Sequence, residues 1–489
     1  HNFYALDLKT SQVTQLTNLD ADKLNPNTIS ISRDEQQIAY VTFENDQYVI
    51  STMPVRGSAA KPIVRSANEI RNLAWHPDNR RIFYSALVSG VFQIFVIDIE
   101  ASQPVQLTFA DRDNLVLDVS EDGTKILYGS SKEEADVWSV QVANGDETSL
   151  AADINSELWA DVSPDGKVVA YQSINNLSQG NKLFSGAIVT RPITPNAQPL
   201  QLISNGFLPL WSPDGTQLAF MRVSGETYNL WSIKADGGAE KQLTLNGMFS
   251  VGFSVLPYNR MQTSDFSWSP DGKKIAYMPK QGNAQNIYLV DTTDSVSVPL
   301  TNNTNANLSV FCPLWSSDGK RLAYSSSLSA VADKGSVYTV SVIDVESKNT
   351  KSFTQPWPVQ RLLGWSHTGR ELILAALNTQ ARTTSPAEVE LVQVDCETGA
   401  QRQLARLEAA YFFNIHLSKD KKTIAYVSHR DDKDNVWVRR LEGSEERKLT
   451  SNVDPRLYYS SLSWSSDSRA IYFGKQKRYS LLSMISNFK

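Results

Sequence analysis

Nine positions carry the same isolated carboxylate: Asp34, Asp78, Asp122, Asp165, Asp214, Asp271, Asp318, Asp420 and Asp467. Thr368 stands in the one place where the acid is missing. Acids repeated in this way could hold calcium. A calcium cage needs roughly six to eight oxygens, and none of these aspartates begins an Asp-x-Asp-x-Asp-Gly loop. Each sits instead in Ser-Pro-Asp-Gly or a variant of it, as at Trp268-Ser269-Pro270-Asp271-Gly272-Lys273. That order suits a type I turn. Pro presets φ, Asp tolerates the bridge region, and Gly closes the turn at positive φ. Turn chemistry outweighs metal binding.

The remaining reactive residues do not assemble into a familiar centre. Metal catalysis needs clustered imidazoles and carboxylates, and His1, His76, His367, His416 and His429 are spread along the chain. No Gly-x-Ser-x-Gly nucleophile elbow occurs. Cys312 and Cys396 fall in different repeats, on opposite faces of the expected fold, and are read as free thiols. No cofactor, no metal and no catalytic residue is expected, and the chain is read as a non-enzyme.

The elements that would position any site follow from the turn. Its marker recurs at spacings of 43 to 57 residues, the period of a four-stranded propeller blade. Three residues before each marker the side chain is apolar: Ile31, Trp75, Val119, Val162, Trp211, Trp268, Trp315, Trp365, Leu417 and Trp464. A short strand ending in Tyr often follows, then an alternating segment such as Asn229-Leu230-Trp231-Ser232-Ile233, then Leu-Thr, as at Leu243-Thr244 and Leu449-Thr450. Strand, tight turn, strand, loop, strand, turn, strand describes one blade. The fold class is therefore all-β, a β-propeller of about ten four-stranded blades.

The Trp-Ser-Pro-Asp-Gly-Lys repeat resembles the TolB-type, WD-repeat-like propeller family over essentially the whole chain. That resemblance implies a periplasmic scaffold. It also extends to the extracytoplasmic sensor part of membrane-anchored winged-helix regulators. Dipeptidyl-peptidase and prolyl-oligopeptidase enzymes are similar only in their propeller portion, and pectate-degrading propeller lyases only weakly.

Residues 1–18 look like the last two strands of a blade, and the C-terminus looks like the first two. One ring closed by the N-terminal strands is the preferred expectation, with Phe3–Thr17 pairing against Ser461–Trp464 and Ile471–Phe473. The alternative is two five-bladed propellers, 1–245 and 246–489, parted by the long connection Leu245–Ser264. A net charge of −5 and pI near 5.7 provide no basic field, so nucleic-acid binding by this segment is not expected. No apolar run is long enough for a membrane-spanning helix. A start at His1 suggests a processed or excised segment.

Residues just before each first strand should line the channel mouth on the face where long loops emerge. The ligand-binding candidates there are Arg71, Glu157, Phe207, Asp265, Phe311, Trp357, Arg361, Phe412, Arg456 and Tyr459. Aromatics and arginine favour binding surfaces, although such residues could equally plug the channel. Arg361 and Tyr459 are read as exposed loop positions and the strongest of the set. The functional expectation is a periplasmic or otherwise extracytoplasmic binding, scaffold or sensor propeller that recognises a protein, peptide or envelope glycan. The alternatives are a glycan- or peptide-degrading propeller, with acids such as Glu157 and Asp265 acting across the channel, or the propeller part of a prolyl-oligopeptidase-like protein without its hydrolase domain.

Overall fold

The computed structural model describes residues 2–486 and 488, except 7, 18–23, 56–58, 102, 153–154, 175–185, 195, 225–226, 246, 248–265, 280–283, 329–336, 356–358 and 378–385. The described residues form β-strands and no α-helix, and the chain is a multi-blade β-propeller of antiparallel sheets. Hence no described helix is long and apolar enough to cross a membrane.

The repeated turn forms for the reason its residues suggest. Ser269 Oγ donates to Asp271 Oδ1 at 2.6 Å and accepts the Lys274 N–H at 2.9 Å. The same carboxylate accepts the Lys273 N–H at 3.1 Å, and Gly272 turns at φ 70°. Serine and aspartate repeat this bond at Asp165, Asp214, Asp318, Asp420 and Asp467. Where Thr368 replaces the acid, Glu371 supplies the carboxylate and accepts from Ser366 and Thr368, both at 2.5 Å.

The Leu-Thr signature has its own cause. The threonine hydroxyl accepts an N–H of the third strand, as in Leu230 to Thr244 at 2.9 Å and Val436 to Thr450 at 3.0 Å. It donates in turn to an asparagine, as from Thr450 to Asn435 at 3.1 Å. The N-terminal hairpin, Tyr4–Leu6 with Val13–Gln15, carries the same bonds. Phe3 N–H donates to Thr17 at 2.9 Å and Thr17 to Asn2 at 3.1 Å. It is built as the back half of a blade.

Packing divides the chain into two compact units, 1–133 with 478–489, and 134–477. In the first, the N-terminal hairpin precedes a sheet of Leu24–Ile31, Gln37–Glu44, Gln47–Pro54 and Lys61–Ser66. A second sheet runs Ile70–Trp75, Arg81–Val88, Val91–Asp98 and Val105–Gln106. A third begins with Asp113–Val119 and the start of Lys125–Gln141. Phe3 and Leu16 of the hairpin pack on Ile38, Tyr40 and Met53.

The second unit closes on itself as seven blades among its described residues, the last two sharing one seven-stranded sheet. Blade I joins Leu457–Trp464 and the start of Ala470–Ser486 to the end of Lys125–Gln141 and to Glu147–Ala151. Blades II to V begin with Ser156–Val162, Phe207–Trp211, Phe266–Trp268 and Leu308–Trp315. Blade VI begins with Val359–Trp365. The 17-residue strand Gln401–Leu417 ends blade VI and begins blade VII.

This closure corrects the expectation for the termini. The N-terminal strands pair with each other, and the C-terminal strands are completed by residues from Lys125–Gln141 and Glu147–Ala151. The physical reason lies in the third repeat. Between its second and third strands stands Ser130-Ser131-Lys132-Glu133-Glu134-Ala135, with no Gly, Pro, Asn or Asp to reverse the chain. Other repeats turn there through Asn45-Asp46, Ser89-Gly90 or Asp431-Asp432, which adopt positive φ. Lys125–Gln141 therefore stays extended and its two halves serve different partners.

Blade I has the side-chain ladder of an ordinary blade. Lys475 lies 4.1 Å from the Trp138 ring centre and pairs with Glu147 at 2.9 Å. Arg430 likewise lies over Trp437 at 4.0 Å and pairs with Glu446 at 2.7 Å. Arg222 repeats the arrangement with Trp231 and Glu240. Cation–π contact and ion pair converge on one cation in each case.

Adjacent blades are joined by tryptophan. The indole N–H of Trp211, Trp268, Trp315, Trp365 and Trp464 donates to Asp161, Leu210, Ser267, Leu314 and His416 carbonyls at 3.1–3.3 Å. The last of these bonds joins blade VII to blade I. Replacing Trp464 by Phe removes the donor and leaves the His416 carbonyl in a poorly hydrated junction. The Trp464→Phe protein is expected to lose about 1–3 kcal/mol in urea unfolding. An unchanged midpoint would show that the bond contributes nothing to closure.

Candidate functional site

The first strand of a blade lines the channel, and in this ring it is kinked. The register against the second strand shifts between Leu158 and Asp161, Phe207 and Leu210, Phe311 and Leu314, Leu362 and Gly364, Ala410 and Ile415, and Ser460 and Ser463. Trp159, Leu208, Cys312 and Ser461 sit in these bulges at φ 52–56°. Positive φ is costly for side chains of this size, so closed packing must hold it. Each bulge separates a loop-end half of the strand from a turn-end half.

The sequence-selected candidates at the loop end are largely interior. Glu157 and Phe207 are fully buried, Phe412 and Tyr459 nearly so, and Arg361 is 8% exposed. Phe207 meets Trp159 and Tyr228 at ring distances of 6.1 and 5.8 Å. Tyr459 packs edge-on against Phe473 at 5.2 Å. Arg361 donates to the Ile415 carbonyl at 3.3 Å, and burial lowers its pKa to about 10. Arg361 and Tyr459 are thus not exposed loop positions. They lie in strands whose bulges turn them into the blade junctions. Phe311 is half-buried in the packing around blade V.

Arg71 belongs to the smaller unit, where it pairs with Glu69 at 2.7 Å and lies over Phe92 at 4.6 Å. Asp265 and Trp357 fall outside the described residues, as do most of the long loops at 172–182, 245–264, 325–336 and 375–388. Arg456 is exposed at the loop end. Its guanidinium bonds both Asp454 oxygens at 3.0 Å.

A polar cluster that sequence reasoning left unassembled stands near it, built on the last two blades. His429 Nδ1 lies 2.6 Å from Asp434 Oδ1, and the Tyr411 hydroxyl donates to the same oxygen at 3.0 Å. Asp434 is 5% exposed, whereas His429 keeps a third of its side chain open. The buried carboxylate fixes an imidazole that stays partly open to solvent. Asn452 links the same region, donating to the Asp434 and Leu457 carbonyls at 3.1 Å. These groups come from the two loop classes expected to carry recognition. His429 was visible in the sequence; its pairing with an acid five residues away across a hairpin was not.

A second group lies at the turn end. Asp161, His416 and Lys419 line one cavity of about 170 Å³, with Trp159, Leu210 and Trp464 among its walls. Asp161 Oδ2 accepts the Trp211 N–H at 2.8 Å. Burial raises the Asp161 pKa, and burial lowers that of His416 well below the ordinary imidazole value. A signal existed: one place before the marker apolar position seven repeats have Ser, Ala, Leu or Gly, whereas these have Asp and His and the third repeat has Asp118.

The turn aspartates serve turns. The Ser120 hydroxyl, then the Thr124 N–H and hydroxyl, lower the Asp122 pKa to about 2. Among the described residues no three His, Cys, Asp or Glu side chains converge to hold a metal. A folded pKa below the unfolded one stabilises above the ordinary carboxylate range, and that support is lost as pH falls towards 2. The melting temperature should therefore hold near pH 5 and fall between pH 4 and 2, with Asp122→Asn flattening part of the fall. An Asp122→Asn profile superimposable on wild type would contradict the assignment.

Both cysteines are free. Cys396 is buried, which raises its thiol pKa to about 12, whereas Cys312 is half-buried. A thiol reagent without reductant should modify Cys312 first in the folded protein and both in denaturant. Early labelling of Cys396 would mean that its blade opens.

Comparison with known proteins follows the repeats. The family model described as the TolB beta propeller domain matches residues 2–253 and 254–487. The protein named uncharacterized peptidase YuxL, from Bacillus subtilis, is 24% identical over 47% of this chain and 30% of its own length. The uncharacterized protein Atu1656 of Agrobacterium fabrum is 25% identical over 30% of this chain and 53% of its own. The chain thus spans 30% and 53% of the length of these two relatives. A solved TolB structure from Agrobacterium tumefaciens is 14% identical, covering 71% of this chain and 99% of that one, with a TM-score of 0.40.

Proposed function

Because the chain belongs to the TolB β-propeller family, we propose that it is a non-catalytic recognition propeller acting outside the cytoplasm, which captures a protein or peptide through the loop end of blades VII and I. The carrying observation is the contrast at that end. The aromatic and acidic candidates Phe207, Phe412, Tyr459 and Glu157 are buried, while His429 and Arg456 are held by buried or half-buried acids and remain open to solvent. Side chains fixed before contact lose little freedom on binding. A guanidinium anchored on Asp454 and exposed at the surface presents a planar cation to a partner carboxylate.

The rigid His429–Asp434 pair also resembles half of a general-base arrangement. Acyl transfer would further need a nucleophile in hydrogen-bond reach. His429 has no such hydroxyl or thiol partner among the described residues. This favours a binding role over hydrolysis. The peptidase name carried by one relative covers a protein of which this chain spans 30%.

The test is capture from an envelope extract, with bound proteins identified by cross-linking. His429→Ala/Arg456→Ala should keep its melting temperature within a few degrees, as surface changes usually do, and lose most capture. Lys273→Ala/Lys320→Ala, on the turn side, should capture as wild type does. Capture lost only in the second variant would place recognition at the other end and refute the proposal.

A further inference from the structure

The turn-end cavity has a composition that blade packing does not require. Asp161 and Lys419 both line it. They feel each other electrostatically, since Lys419 lowers the Asp161 pKa against the effect of burial. Lys419 itself stands exposed at the edge of the turn, so its ammonium reaches the cavity from the solvent side. Asp161 accepts the Trp211 N–H at 2.8 Å and the Ser463 hydroxyl at a long 3.4 Å, which leaves acceptor capacity on both oxygens. His416, whose pKa burial lowers well below the usual value, brings a largely neutral imidazole to the same space.

Opposite charges lining one small cavity are complementary to a molecule bearing both charges. Trp159, Leu210, Leu417 and Leu462 supply apolar wall beside them. The volume, about 170 Å³, is of the order of a single amino acid rather than a folded partner. The neighbouring blades hold this wall rigidly, because Asp161 is tied to blade III and the Trp464 indole to His416.

We infer that the turn-end cavity of the seven-bladed ring binds a free α-amino acid, its ammonium on Asp161 and its carboxylate on Lys419. Ser461 and Ser463 hydroxyls at the cavity wall offer further hydrogen bonds to the ligand's polar end. The site lies away from His429 and Arg456, so it stands apart from the recognition proposed for the loop end.

Calorimetric titration of the full chain with each of the standard L-amino acids tests this. At least one with an apolar side chain should bind at millimolar concentration or better. Its amide, which lacks the carboxylate, and its N-acetyl form, which lacks the ammonium, should each bind at least about tenfold more weakly, the loss expected for one charge-assisted contact. Lys419→Met, in an exposed turn position, should weaken the unmodified amino acid by a similar factor while leaving the melting temperature of the free protein unchanged. Asp161→Asn should do the same if it folds, and the blocked ligands report on the acid if it does not. Arg456→Ala should bind the amino acid as wild type does. No binding across the whole set, equal binding of the blocked forms, or unchanged binding by Lys419→Met would each overturn the inference.

Discussion

An indole N–H reaching back to a neighbouring backbone carbonyl is the contact on which the ring depends. A propeller blade is a twisted sheet with two apolar faces and no means of its own to fix the angle to the next. A tryptophan at the end of the first strand provides both area and direction: the ring fills the space between sheets, and the N–H permits only one placement. Five of the ring's junctions carry this bond in the same register. Each is worth about 1 kcal/mol net, but their larger effect is geometric. They hold successive first strands at one height, so that the bulges line up around the channel.

The bulges follow from that alignment and explain why the loop-end candidates are buried. A residue such as Trp159 or Leu208 at positive φ costs about 1–3 kcal/mol, which the packed junction offsets. The kink turns Phe207, Phe412 and Tyr459 inward above it and leaves Asp161, Leu210 and His416 around a cavity below it. The loop end can then vary in sequence without disturbing the channel. The cation–Trp–Glu ladders of blades I, III and VII act on the outer strands in the same sense, tying second, third and fourth strands together where the sheet is most exposed.

Polar groups are placed by similar economy. The buried Asp434 organises Tyr411 and His429 at once, and Asp161 joins blade II to blade III while still facing the cavity. Buried carboxylates are expensive unless their oxygens are satisfied, so each is found where several elements can supply donors. Such a group is well suited to recognition, because its geometry is set before any ligand arrives.

Local chemistry was legible in the sequence. Ser-Pro-Asp-Gly encodes its turn through contacts within five residues, Leu-Thr encodes its cap through one hydroxyl, and the back-half character of residues 2–17 was readable for the same reason. Strand partnership was not. Ser130–Ala135 contains no residue that signals a change of unit, only the lack of a turn, and an extended strand pairs with whatever edge the rest of the chain presents. Nor could exposure be read for Arg361 and Tyr459, because a one-residue bulge reverses which way a strand side chain points. Asp161 and His416 stood out from the repeat in type, but only the closure of blades I, II and VII brings them to one cavity. Turns and caps depend on neighbours in sequence; sites around a ring depend on neighbours that closure alone supplies.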